Sequence, residues 1–106
     1  MAFTSRKSEI FPCPFDRAFN AVCAICKEFD WNIRESDLKL GHITAMVSTS
    51  TLSWGEEVSI DLNRVGDKET SVCVESKSSG SIFSPIKNRM NIRKLFEELE
   101  RSLKSA

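Results

Sequence analysis

Val58-Ser59-Ile60-Asp61-Leu62, then Val65-Gly66-Asp67-Lys68, then Val72-Cys73-Val74-Glu75 is the stretch of sequence that decides the fold. Val58, Ile60 and Leu62 are separated by Ser59 and Asp61, and Val72 and Val74 by Cys73. A period of two places the apolar side chains on one face of a strand and the polar ones on the other. The connection from Val65 to Lys68 is too short for a parallel crossover, which needs about a dozen residues, so the two strands are antiparallel neighbours. The product is a sheet with one greasy face, and that face needs a cover.

Working outward, Ile43, Ala45 and Val47 alternate with His42, Thr44 and Met46 in another strand. Trp31 and Ile33 alternate with Asn32 and Arg34, predicting a strand over 31–36, with a turn at 37–41. Before it the period changes. Phe15, Ala18, Phe19, Val22, Cys26 and Phe29 follow the spacing of an amphipathic helix, predicted over 14–29. Pro12-Cys13-Pro14 stops a short opening strand, Ser8 to Phe11, because proline donates nothing to a ladder. Ser84-Pro85 opens a long last helix, predicted over 85–104, with Ile92, Leu95, Phe96, Leu99 and Leu103 on one face. The expected class is α+β, in the order β-α-β-β-β-β-α, with an antiparallel sheet and both helices packed on one face. Phe19, Phe29, Phe96, Leu99, Ile60 and Val74 are expected to fill the interior.

The chain of 106 residues is expected to be a single domain over 1–106, ordered from about 7 to 104. Hydrophobic residues are 41% and charged residues 28%, which suits neither a disordered nor a membrane-embedded chain. No apolar run reaches the roughly 18 residues of a spanning helix. Fifteen basic residues balance fifteen acidic ones, which argues against non-specific nucleic-acid binding. Four cysteines without a secretory signal point to reduced thiols in the cytoplasm.

Cys23-Ala24-Ile25-Cys26 is the most tempting motif. It lies in the second half of the first helix, where the helix dipole disfavours a thiolate, and on the face of Phe19 and Val22. It is expected in the core, with thiol redox chemistry as the alternative. Cys13, Cys23, Cys26, Cys73 and the lone His42 include no second C-x-x-C and no His pair, so no metal site is expected. His42 is expected to face solvent. The four glycines are scattered, so no phosphate-cradling loop is expected, and no G-x-S-x-G is present. Glu56 and Glu57 are neighbours on a strand, point to opposite faces, and are expected on a solvated edge. No catalytic residue, cofactor or enzymatic activity is therefore expected.

The element order resembles the helix-grip, or TBP-like, arrangement, whose larger members are the Bet v 1 and START-type lipid-binding domains. The runs Ser53-Trp54-Gly55-Glu56, Val72-Cys73-Val74-Glu75-Ser76-Lys77-Ser78 and Lys87-Asn88-Arg89-Met90-Asn91-Ile92 are similar to those of small uncharacterised bacterial domains. The chain departs from that pattern at Ser84 and Ile86, where Asp and Gly are expected. The resemblance implies a fold and carries no assigned activity.

Three features remain for recognition. Trp54, at a turn, is large enough to cap the open end of a grip or to plug the core. Asn88 and Asn91 are expected to tie the start of the last helix to the sheet through side-chain hydrogen bonds. That helix begins basic, with Lys87, Arg89, Arg93 and Lys94 before its first acid, Glu97. The expected function is a non-catalytic binding module for a protein partner or small ligand at Trp54, Glu56, Ser76, Asn88 and Asn91. The alternative is a small apolar ligand or lipid held between sheet and helix.

Overall fold

The computed structural model describes residues 2–47, 55–79 and 84–104. The elements are β1 (Ala2–Phe11), α1 (Phe15–Glu28), β2 (Asn32–Asp37), β3 (His42–Val47), β4 (Glu56–Gly66), β5 (Glu69–Ser79) and α2 (Ser84–Lys104). They form one five-stranded sheet in the order β1-β5-β4-β3-β2, every pair antiparallel. Four strands follow one another as a meander, and β1 comes round to pair with β5, leaving β1 and β2 as the edges.

The opening strand is much longer than its apolar pattern suggested. It begins at Ala2 rather than Ser8 and pairs with β5 along its whole length, from Ala2↔Ser79 to Phe11↔Thr70. Thr4, Ser5, Arg6 and Lys7 give no alternation to read. Main-chain pairing with the long β5 extends the strand through them, because a ladder satisfies backbone groups whatever the side chain.

One sheet face meets both helices. Ile43, Ala45, Val58, Ile60, Leu62, Val72 and Val74 are fully buried there, with Ala18, Val22, Cys26, Leu95 and Leu99 from the helices. The register aligns them in rungs, Ile60 opposite Val74 and Leu62 opposite Val72. Phe29, expected inside, is only partly buried and packs against the core's rim, its ring 5.2 Å from that of Trp31. It is the C-cap of α1, where the chain turns out of the helix.

Two connections fix how the layers meet. After α1, Asp30 takes a left-handed conformation (φ 62), its N–H reaches the Lys27 carbonyl at 3.0 Å, and the Trp31 N–H reaches that of Cys26 at 2.9 Å. This is the Schellman ending, with aspartate where glycine is usual. Between β2 and β3, Gly41 has φ +69, and its carbonyl accepts from the Leu62 N–H at 2.7 Å. A side chain there would run into the Leu62 carbonyl oxygen and the Phe15 ring, so this position requires glycine.

Candidate functional site

The inner face of the sheet changes material at one end. Glu56 precedes Val58 by two residues on β4, and Ser76 and Ser78 continue the parity of Val72 and Val74 on β5. On α2, Asn88 and Asn91 stand three apart on the side that carries Leu95 and Leu99 farther along. Side-chain parity therefore aims five polar groups into one space. Ser76 and Asn88 are 0% exposed, Glu56 1%, Asn91 4% and Ser78 7%.

They are joined by hydrogen bonds. Ser76 Oγ donates to Asn88 Oδ1 at 2.8 Å. Asn88 Nδ2 donates to Ser78 Oγ and to the Phe3 carbonyl of β1, both at 3.1 Å. Asn91 Nδ2 donates to Glu56 Oε1 at 3.0 Å and to Ser76 Oγ at 3.3 Å. Four elements, β1, β4, β5 and α2, are thus tied at one point. Two polar atoms are left over. Asn91 Oδ1 accepts no hydrogen bond among the described residues, and the Ser78 hydroxyl, which accepts from Asn88, donates none. Leaving a buried polar atom unpaired costs roughly 1–3 kcal/mol, so such atoms mark places where another molecule can bond.

Four of the five residues singled out in the sequence, Glu56, Ser76, Asn88 and Asn91, are brought together here. The fifth, Trp54, lies outside the described residues. The expected solvated position of Glu56 is corrected: it is buried and bonded to Asn91, while Glu57 is exposed on the opposite face. A charged residue reads as surface until its partner, 35 positions away on another element, is known. Ser78 was not singled out, although its two-residue spacing from Ser76 was the signal that could have found it.

The thiols differ in burial. Cys26 is fully buried and Cys23 partly buried, and all four cysteines are free. Burial pushes the Cys26 thiol from its ordinary 9.0 up to about 12, with the neighbouring Cys23 adding to the rise. Burial also raises Cys23, against a smaller lowering by Lys27, and Cys13, against Arg17. Redox chemistry needs the opposite shift.

On the outer face of the sheet, His42 is half-buried rather than open to solvent. Its Nδ1 lies 2.7 Å from Asp61 Oδ1 and its Nε2 2.9 Å from Thr44 Oγ1. The carboxylate can only accept, so in the neutral ring Nδ1 carries the proton and Nε2 accepts from the threonine. The β3–β4 register sets His42 opposite Asp61, which sequence spacing alone does not reveal. Among the described residues no group of three or more His, Cys, Asp or Glu is placed to hold a metal ion, and no helix is long and apolar enough to cross a membrane.

No family model and no curated protein sequence matches the chain. Solved structures do resemble it. An uncharacterised protein from Bacillus thuringiensis superposes with a TM-score of 0.68 at 7% identity, over 95% of this chain and 96% of that one. The di-domain ARO/CYC BexL gives 0.71 at 8% identity over 96% of this chain, which spans only 46% of that protein. Ara h 8.0201 gives 0.59 at 11% identity over the whole of both. At such identities the likeness shows the fold, and the fold is the helix grip of the Bet v 1 kind.

Proposed function

We propose that this domain is a non-catalytic binding module. It recognises a small, largely apolar molecule carrying a hydrogen-bonding group, at the polar end of the sheet–helix layer. Glu56, Ser76, Asn88 and Asn91 form the site with Ser78, and Trp54, two residues before Glu56 in the sequence, is proposed to contribute to recognition. The observation that carries this is the spare capacity of the cluster among the described residues: Asn91 Oδ1 unoccupied as an acceptor and the Ser78 hydroxyl unoccupied as a donor, both in residues under 8% exposed. A ligand hydroxyl can donate to the first and accept from the second. Two solved neighbours, an ARO/CYC protein and Ara h 8.0201, share this fold, which supports a ligand at the grip without naming one. The reduced thiols fit the cytoplasm as the place of action.

The test uses 1-naphthol, which offers a ring and one hydroxyl, against naphthalene, which lacks the hydroxyl. Isotope-edited NMR titration is expected to move the Asn88 and Asn91 side-chain amides with naphthol and to show binding at least tenfold weaker for naphthalene, because a site built to bond a hydroxyl penalises its loss. Equal binding of the two, or shifts that bypass both asparagines, would falsify the assignment.

A further inference from the structure

The ten-residue strand β1 is an edge of the sheet: β5 pairs with one side and no described strand pairs with the other. Main-chain groups of a strand alternate sides along its length. The Leu62 N–H reaches the Gly41 carbonyl on the β3 side, so through the unbroken registers Phe3, Ser5 and Lys7 direct their main-chain groups at β5. The N–H and C=O groups of Thr4 and Arg6, between them, are turned to the free side. A groove of about 520 Å³ runs beside them, between β1 and α2. Ser5, Arg6 and Lys7 all line it, although Arg6 sends its guanidinium to the other sheet face, onto Cys73 Sγ at 3.2 Å. Three consecutive residues of a strand can line one groove only through the edge itself.

The opposite wall is basic. Residues 84–96 of α2 carry Lys87, Arg89, Arg93 and Lys94 and no acid. Arg89 and Arg93 line the groove. Arg93 is held by Glu97 at 2.8 Å and Lys7 leans on Glu9 at 3.7 Å, whereas Arg89 has no carboxylate partner among the described residues. Ile86 and Met90, 49% and 54% exposed, supply apolar wall between the charges.

We infer that this groove takes an extended acidic peptide, which adds to β1 as a sixth strand and sets carboxylates against Arg89, Arg93 and Lys7. Strand addition suits the edge because the backbone groups of Thr4 and Arg6 supply the pairing and the α2 cations supply the sign. A second copy of this chain is a poor occupant, since two such basic grooves repel. The edge is also guarded against random pairing, because Lys7 and Glu9 point inward from it. The site is separate from the polar cluster of Glu56, Ser76, Asn88 and Asn91 and does not depend on the function proposed for it.

The experiment measures anisotropy of a fluorescein-labelled eight-residue peptide alternating Glu and Val, titrated with the whole protein, beside a peptide alternating Lys and Val. The acidic peptide is expected to bind, and the basic one at least tenfold more weakly. Arg89→Glu/Arg93→Glu, at exposed helix positions, is expected to weaken the acidic peptide at least tenfold. Amide exchange at Thr4 and Arg6 is expected to slow at least tenfold in the complex, a readout that mere charge attraction does not move. Equal binding of the two peptides, or binding without protection of those two amides, overturns the proposal. So does dodecyl phosphate occupying the groove where the acidic peptide fails, which would assign it to an anionic amphiphile.

Discussion

At one end of the layer between sheet and helices, Ile60, Leu62, Val72 and Val74 share a dry core with Leu95 and Leu99; at the other, Glu56, Ser76 and Ser78 meet Asn88 and Asn91. Both ends are equally buried. The first gains stability from surface removed from water, at about 25 cal/mol per Å², and asks for no particular geometry. The second exchanges water's hydrogen bonds for internal ones of small net value, so its contribution lies in where it directs bonds. A domain needing only to fold could have continued the valines to the end of the sheet. That it places five polar groups there, two with bonding capacity unused, is what separates the end that holds the fold from the end proposed to meet a ligand.

The comparison can be broken most forcefully from the dry side. Leu99→Ala, at a fully buried site, is expected to lower unfolding free energy by about 3 kcal/mol in urea titration. A loss well under 1 kcal/mol would mean that the core is not close-packed there. On the polar side, Asn88→Ala strips partners from Ser76, Ser78 and the Phe3 carbonyl at once, and is expected to cost about 2 kcal/mol by the same measurement. If it proves neutral, the cluster is open to water and the two ends are not alike in burial.

A pH titration sharpens the contrast further. Cys26 belongs to the dry end, and its folded-state pKa of about 12 lies above the ordinary 9.0. Below pH 9 the thiol is protonated in both states and stability does not depend on it. Above 9 the unfolded chain gives up that proton and the folded one keeps it, so stability falls by up to about 1.4 kcal/mol per pH unit toward 12. Urea midpoints at pH 8, 9 and 10 are expected to show the decline, and Cys26→Ser to flatten it. Smallest is Asp30→Gly, which belongs to neither end. It relieves the left-handed conformation after α1 and is expected to raise stability by roughly 0.5–1 kcal/mol, a calibration for the other three.

Much of the architecture was legible because it follows from local period. Val58, Ile60 and Leu62 announce a half-buried strand, Phe15 through Phe29 a helix, and short connections an antiparallel meander. Asn88 and Asn91, three apart at the start of the last helix, could be read as ties to the sheet, and they are. What stayed hidden depends on distant pairing. The polar half of β1 is a strand only because β5 lies beside it. Glu56 is buried only because α2 brings Asn91 to it, and His42 meets Asp61 only through the β3–β4 register. The basic groove also needed the topology, since nothing in Ser5-Arg6-Lys7 says that it forms an edge facing a helix.

Ser78→Ala tests the central claim most directly, with folding and ligand capture measured on the same sample. The substitution deletes the unused hydroxyl donor and leaves Asn88 its bond to the Phe3 carbonyl. Unfolding free energy is predicted to change by less than about 1 kcal/mol, and affinity for 1-naphthol to fall about tenfold, the equivalent of one hydrogen bond. Undiminished naphthol affinity in the folded variant would contradict the account and leave the polar end as a structural clasp alone.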